Sequence, residues 1–226
     1  MKLLAVLLKQ CSVFWLALVF AGAGYAEPSE WREEKNKAGI AVYTRAVDGS
    51  AVREFRGETV IDAEINQLMA VLDDTAAFVS WMHNCREAQL LYKPSLLDRY
   101  QYLVNDFPWP AADRVLLLRN QISQDADTRV TRISLQSFDE QQLPAAKRAL
   151  IPEAEGAKRV PALKGYFELS PQADNRTAVI FQLHLDPGGA LPASLVNSLI
   201  VDNPYETLKR LREVVARPEY RNFNPF

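Results

Sequence analysis

The sequence predicts an α+β protein in which a curved antiparallel sheet wraps around a long C-terminal helix. Three observations lead to this prediction. Strand-like segments separated by short turns fill the middle of the chain. The last of these strands, residues 177–185, alternates apolar and polar side chains, which is typical of a sheet with one solvated face. The segment that follows carries Leu208, Leu211 and Val215 in a helical stripe.

The composition is that of a soluble globular protein. The 226 residues include 26 Lys and Arg against 28 Asp and Glu, for a formal net charge of −2. A nucleic-acid-binding protein is expected to carry a basic stripe, so nucleic acid is not an expected partner. Hydrophobic residues make up 48% and charged residues 24%, which excludes disordered, collagen-like and coiled-coil proteins.

The first 26 residues are predicted to be a signal peptide. Lys2 and Lys9 accompany an apolar run, residues 11–23, that is too short to cross a bilayer. Small residues follow it, as a signal peptidase requires, and the predicted cut comes after Ala26. The protein is therefore expected to be periplasmic or secreted, with residues 27–226 forming one domain. An uncleaved membrane anchor is the alternative.

The first part of this domain is predicted to form a helix, a hairpin and two further helices. Residues 31–37 are polar enough for a short surface helix. Ile40–Val47 and residues 53–61 are predicted strands, joined by a turn at Asp48-Gly49. Asp62 is the expected N-cap of the next helix. That helix has an apolar face of Ile65, Leu68, Met69 and Leu72, and a second one, capped by Asp74 or Thr75, runs to Trp81.

Six antiparallel strands follow, and the chain ends in a helical region. A long polar connection at 136–164 contains a predicted helical turn at 145–150. Residues 192–201 are apolar on most sides, and Asn203-Pro204 indicates either a new helix or a kink in a continuous one. The predicted strands are residues 86–92, 99–104, 114–122, 128–136, 165–169 and 177–185.

Few side chains could carry catalysis. His83 and His184 are far apart and lack the spacing of metal ligands, so no metal or other cofactor is expected. After signal cleavage only Cys85 remains, which excludes an internal disulfide. Glycine-rich nucleotide-binding motifs do not occur in the sequence. An enzyme would need convergent titratable groups, and His83, Cys85 and Asp98 are the candidates.

Apolar side chains on the predicted sheet are the stronger functional signal. They either fill an ordinary core or leave a cavity between the sheet and the C-terminal helix, and the residues alone leave both possibilities open. Such a cavity would bind a hydrophobic ligand through apolar walls and a few polar groups. The candidate wall residues are Trp81, Tyr102, Leu116, Leu118, Phe181, Leu183, Leu195 and Leu199.

Several blocks of the sequence resemble the START (steroidogenic-acute-regulatory-related lipid transfer) domains, and within them the secreted bacterial members. WREEKNKAGIAVYTR at 31–45 and REFRG at 53–57 resemble the first elements of the family, and residues 73–81 resemble its helix pair. FPWPAADR at 107–114 resembles the family's WP-x-x-DR turn, and DPGGALPASLVN at 186–197 resembles the start of its last helix. The match covers nearly the whole predicted domain.

The resemblance implies a helix-grip fold that holds one lipid, such as a sterol, phospholipid or ceramide, in a tunnel between sheet and C-terminal helix. It implies no catalysis. An enzyme of the wider superfamily, a cyclase or hydrolase of hydrophobic substrates, is the alternative, and an envelope adaptor with a closed cavity is a third possibility. We expect a monomer that contacts membrane surfaces transiently.

Arg114 is the charged residue that the resemblance singles out. It either contacts the lipid head group or ties the 107–114 turn to the sheet, with Asp113 or Asp98 as candidate partners. The family often has a second acid directly after this arginine, and Val115 stands there in this chain. The expected hinges for an opening C-terminal lid are Gly188-Gly189, Pro192 and Pro204.

Overall fold

The computed structural model describes residues 30–188 and 191–221, and it confirms the predicted α+β helix-grip architecture. Its strands are β1 (Arg32–Lys37), β2 (Ile40–Val47), β3 (Ser50–Ile61), β4 (Cys85–Ser95), β5 (Asp98–Asn105), β6 (Arg114–Gln124), β7 (Thr131–Ser137), β8 (Lys158–Arg159), β9 (Ala162–Gln172) and β10 (Arg176–Asp186). Its helices are α1 (Ile65–Asp73), α2 (Phe78–Trp81), α3 (Ala145–Arg148), α4 (Ala193–Leu199) and α5 (Asp202–Val214).

All ten strands belong to one sheet. Their order is β1-β2-β3-β10-β9-β7-β6-β5-β4, and each neighbouring pair in that order is antiparallel. The short β8 lies off this path and pairs with β6 in parallel. Because β3 pairs with β10, the first hairpin and the last strand lie side by side, and the helices that follow β10 return across the same face.

The prediction of a helix at 31–37 is wrong, because this segment forms the edge strand β1. Ala38 and Gly39 have φ of 52° and 73°, the left-handed pair that makes a tight hairpin turn, and they fold β1 back onto β2. Thr44 Oγ1 then donates to Glu34 Oε1 at 2.8 Å across the pair. The side chains of β1 are mostly exposed at the edge of the sheet, which explains their polarity. A polar segment can therefore be an edge strand as well as a surface helix.

Helix α1 forms where the apolar spacing predicted it and α2 where the capping residue did, with one change at the start of α1. The predicted N-cap, Asp62, lies two residues too early, because Glu64 occupies the cap and its amide donates to Gln67 Oε1 at 3.1 Å. Asp74 does begin the second helical segment, since its side chain accepts from the amide of Ala77. That segment ends in a fully buried Trp81.

The C-terminal region is one helical stretch with a break: α4 and α5 are separated only by Ile200 and Val201, whose backbone angles stay in the right-handed helical region. The break lies at 200–201 and not at Pro204, which is the third residue of α5. Leu208 and Leu211 of α5 are fully buried against the sheet, as the stripe predicted. Gly57 of β3 permits this packing, because a Cβ there would lie 2.8 Å from Leu208 Cδ1.

The outer face of the sheet is only partly solvated, contrary to the expected single wet face. The 136–164 connection, with its helical turn at α3 as predicted, crosses the outside of β4, β5 and β6. Phe138 and Leu143 from this connection pack on Tyr100 and Leu117. A ring contact of 5.0 Å between Phe138 and Tyr100 is part of this second core.

Some predictions lie outside the described residues. These are the signal peptide with its cut after Ala26 and the Gly189 half of the glycine pair. Within the described ranges, no helix combines the length and the apolar character that crossing a bilayer requires.

Candidate functional site

A largely apolar cavity lies between the inner face of the sheet and α4. Its volume is about 110 Å³. This is room for several waters or a stretch of hydrocarbon chain. Its apolar wall is formed by Val52, Phe55, Met82, Leu103, Phe107, Pro108, Leu116, Leu118, Leu135, Leu163, Phe181, Leu183, Leu185, Val196, Leu199 and Ile200.

Strand register decides which side chains reach this cavity. Leu103 of β5 lies opposite Leu116 of β6, and both face inward. Phe181 of β10 anchors the base of the wall, because its ring stacks on Phe167 at 4.2 Å and meets Phe55 edge-on at 5.1 Å. These aromatic contacts fix the base while the aliphatic side chains above it leave free space.

Helix α4 closes one side of the cavity and is held by one polar side chain. Val196, Leu199 and Ile200 face the cavity. Asn197 binds the backbone of β3 twice: its Oδ1 accepts from the amide of Arg53 at 2.9 Å, and its Nδ2 donates to Ala51 O at 3.1 Å. Such a short helix with a single buried residue is a candidate for a movable cover.

The loop between β5 and β6 forms the opposite rim. Phe107 and Pro108 line the cavity there, and Trp109 beside them is 92% exposed. Arg114 ties this rim to the chain after β10, since Nε donates to Pro187 O at 2.5 Å and Nη2 donates to Gly188 O at 3.1 Å. Its Nη1 also donates to the carbonyl of Ala112, within the loop itself.

Burial lowers the pKa of Arg114, and the nearby Asp113 carboxylate partly opposes this. The guanidinium is almost fully buried, and it lies over the Phe107 ring at 4.8 Å. Neither predicted carboxylate binds it: Asp113 pairs with Arg86, and Asp98 binds Arg119 at 2.7 Å. Arg114, the predicted head-group contact, thus donates its hydrogen bonds to three backbone carbonyls. It does not line the cavity.

One end of the cavity, which we call the polar end, is formed by His83, Asn105 and Asn203, with Asn84 and Asp106 at its edge. The Oδ1 atom of Asn105 and the Nδ1 atom of His83 are buried and have no hydrogen-bond partner among the described residues. Burial lowers the pKa of His83, Arg210 lowers it further, and Glu206 and Asp202 partly oppose this. The net shift favours the neutral ring.

The structure brings five of the nine predicted site residues together on the cavity wall: Leu116, Leu118, Phe181, Leu183 and Leu199. Trp81 and Leu195 lie elsewhere. Trp81 packs in the core between Phe78 and Phe167, with ring distances of 5.3 and 6.3 Å. Leu195 is on α4 but turned away from the cavity wall.

Tyr102 was placed on the wrong face of the sheet. It pairs with Leu117, and both belong to the outer core, whereas the neighbouring Leu103 faces the cavity. Its assignment was one residue out of register, and a single step reverses the side-chain direction in a strand. The cavity wall also contains Phe55, Leu163 and Val196, which are not among the predicted residues. Alternation along β3 and β9 is the signal that places the first two on the inner face.

Asp98 lies far from Cys85, so the three side chains considered for an enzyme do not form one cluster. Asp98 begins β5 and Cys85 pairs with Asn105 at the other end of that strand, so the strand's full length separates them. Burial raises the pKa of the Cys85 thiol to about 12, and Asp106 adds to this, so a thiolate nucleophile is not formed near neutral pH. His83 lies at the cavity, while Cys85 donates to Glu87 O.

Comparison with known proteins decides the family. The family model described as START domain matches residues 17–221. The chain belongs to the START domain family. A solved structure titled STAR-related lipid transfer protein, from Xanthomonas axonopodis, resembles this START domain with a TM-score of 0.72 and 33% sequence identity, over 83% of this chain and 99% of that one.

One further relative and one further structure are similar to this START domain. An uncharacterised protein of Pseudomonas aeruginosa is 34% identical over 201 residues, which cover 89% of this chain and 94% of that protein. Human StAR-related lipid transfer protein 5 shares the fold, with a TM-score of 0.69 at 15% identity over 82% of this chain and 86% of that one. The resemblance found in the sequence blocks is therefore confirmed at the level of the family.

Proposed function

We propose that this protein binds one hydrophobic lipid and carries it between membranes, without catalysis. The observation that carries the proposal is the apolar cavity between the sheet and α4, with one polar end and an exposed tryptophan on its rim. Membership in the START family and the likeness to a structure titled a lipid transfer protein support it. The separation of Asp98 from Cys85 by the length of β5, and the raised pKa of the Cys85 thiol, argue against the enzymatic alternative.

Burial of a hydrocarbon tail provides the free energy for this function. Each CH₂ group transferred from water contributes about 0.8 kcal/mol, so a sixteen-carbon tail gains roughly 12 kcal/mol if fully buried. The cavity in its present form is small for such a tail, so α4 must move outward to admit it. Its single buried side chain and the left-handed φ of 65° at Gly188 before it favour this movement.

Mass spectrometry of the natively purified protein tests the cargo. Solvent extraction should release a lipid at close to one molecule per chain. In Leu183→Trp, whose side chain would project into the cavity, the amount should fall at least tenfold. In the control Val60→Trp, on an exposed position of β3, it should be unchanged. No lipid in any sample, together with no binding of added lipids, would contradict the proposal.

Contact with the membrane is proposed to occur through the rim of the cavity. Trp109, with 92% of its surface exposed beside Phe107 and Pro108, has the side chain that best suits a membrane–water interface. Trp109→Ala should weaken co-sedimentation with neutral phosphatidylcholine vesicles at least fivefold. Leu96→Ala removes an exposed apolar side chain at the opposite end of β5 and should have no effect. Equal loss in both variants would contradict the assignment.

The protein is further proposed to act outside the cytoplasm as a monomer. The basic and apolar N-terminal segment, with its predicted cut after Ala26, supports this location. Cell fractionation followed by N-terminal sequencing should find the mature chain starting at Glu27 in the periplasm or medium. Recovery of the full-length chain in the cytoplasm would contradict it.

A further inference from the structure

We infer that the ligand's head group is uncharged and carries a hydroxyl, which binds at the polar end between Asn105 and His83. This inference rests on the proposed lipid-binding function and adds the chemical class of the ligand. It selects neutral lipids with a free hydroxyl, such as sterols, fatty alcohols or diacylglycerols, over fatty acids and phosphate-bearing lipids.

Asn105 provides an acceptor. It ends β5 opposite Cys85, and its Oδ1 is buried at the cavity with no partner within the described part of the chain. A buried polar atom without a hydrogen bond is costly, so a ligand that supplies a donor at this point is favoured over one that does not. A hydroxyl group supplies that donor, whereas a carboxylate or an ester oxygen does not.

His83 provides the second contact. Its backbone amide donates to Thr207 Oγ1 at 3.1 Å, which fixes the residue against α5, and its Nδ1 lies buried without a described partner. A neutral imidazole offers one donor and one acceptor, and a hydroxyl can both accept and donate. A ligand hydroxyl is therefore a suitable partner for the orphan atom of either residue.

The charges around the cavity disfavour an anionic head group. Among the described residues of the wall, Arg53 carries the one permanent positive charge, and its Nε already donates to Thr44 Oγ1 at 2.9 Å, with Glu34 4.0 Å away. It lies beside α4, on β3, away from β4 and β5 that carry the polar end. At the polar end Asp106 lies 3.8 Å from Arg86, and the charge of Arg210 near His83 is opposed by Glu206 and Asp202, so no unopposed positive charge from the residues that the structure describes is present there to attract an anion.

Three ligands with the same sixteen-carbon tail isolate the head group: hexadecanol, palmitate and hexadecyl phosphate. Each is measured by displacement of a fluorescent acyl probe from delipidated protein at pH 7.5 and below its micellar concentration. Hexadecanol is expected to bind at least tenfold more tightly than either anion. In Asn105→Leu and in His83→Phe this preference should fall to less than threefold, whereas the control Val60→Ala, at an exposed position outside the cavity, should keep it.

The outcomes separate this inference from the proposed function. Binding of all three ligands with equal affinity, or tighter binding of palmitate that is lost in Arg53→Gln, overturns the hydroxyl assignment and leaves lipid binding intact. Failure of all three ligands to bind overturns the proposed function itself. Circular dichroism of each variant checks that the fold is retained.

Discussion

Replacing Arg114 with methionine tests whether this side chain ties the rim to the chain after β10 or contacts the ligand. The substitution keeps an apolar side chain of similar length but removes the donors to Ala112, Pro187 and Gly188. A hydrogen bond to a charged group contributes about 1.5–3 kcal/mol. Three of them, less the desolvation of the buried guanidinium that methionine avoids, give an expected loss of about 3 kcal/mol.

Urea unfolding followed by circular dichroism measures this loss, and a thermal scan should show Tm lower by about 6–12 °C for a domain of this size. Arg119→Met is the matched control on the same strand. Its partly exposed ion pair with Asp98 is worth about 1 kcal/mol or less. If the free energy of unfolding of Arg114→Met stays within about 0.5 kcal/mol of the parent and ligand affinity is lost, the structural role of Arg114 is refuted. That result would support a contact between Arg114 and the lipid head group.

Three further predictions concern single positions. Gly57→Ala should lower the free energy of unfolding by about 1–3 kcal/mol, because its Cβ would meet Pro204 Cβ at 2.9 Å; an unchanged urea midpoint would contradict the close packing of α5. Cys85 has a pKa raised to about 12 from 9.0, so stability should fall as pH rises from 9 towards 12, and Cys85→Ala should remove that part of the decline seen in alkaline denaturation. Tyr102→Phe removes a buried hydroxyl that has no partner in the described chain, so titration should show unchanged ligand affinity and urea unfolding no loss of stability; weaker binding would place Tyr102 on the cavity wall after all.

The sequence contained enough information for most of the fold. Two features that depend only on neighbouring residues were predicted and are found in the structure. They are the alternation in β10, from Thr177 to Leu185, and the turn at Asp48-Gly49. The edge strand β1 was not predictable by polarity, because an exposed strand and a surface helix bury equally little. The two-residue turn Ala38-Gly39 was the available signal, since glycine favours the left-handed conformation of a tight hairpin.

The candidate site was harder to predict than the fold, because a cavity forms where side chains from several distant elements leave a space between them unfilled. Leu116 and Leu118 could be assigned to one face by alternation within β6. Which side chains of β5 face the same way as Leu116 depends on the register between β5 and β6. A shift of one residue in that register explains the error at Tyr102 and the omission of Leu103. The role of Arg114 depends on carbonyls more than seventy positions away in the chain, and no local pattern encodes such a contact.

Methyl NMR of the protein titrated with hexadecanol shows directly whether a lipid lies between the sheet and α4. The methyl resonances of Leu116, Leu118 and Leu199 should shift and saturate at one ligand per chain, because these side chains line the cavity. The methyls of Leu117 and Leu143, in the outer core, should stay in place. Unshifted cavity methyls at saturating ligand, or equal shifts on both faces of the sheet, would contradict a lipid bound between the sheet and α4.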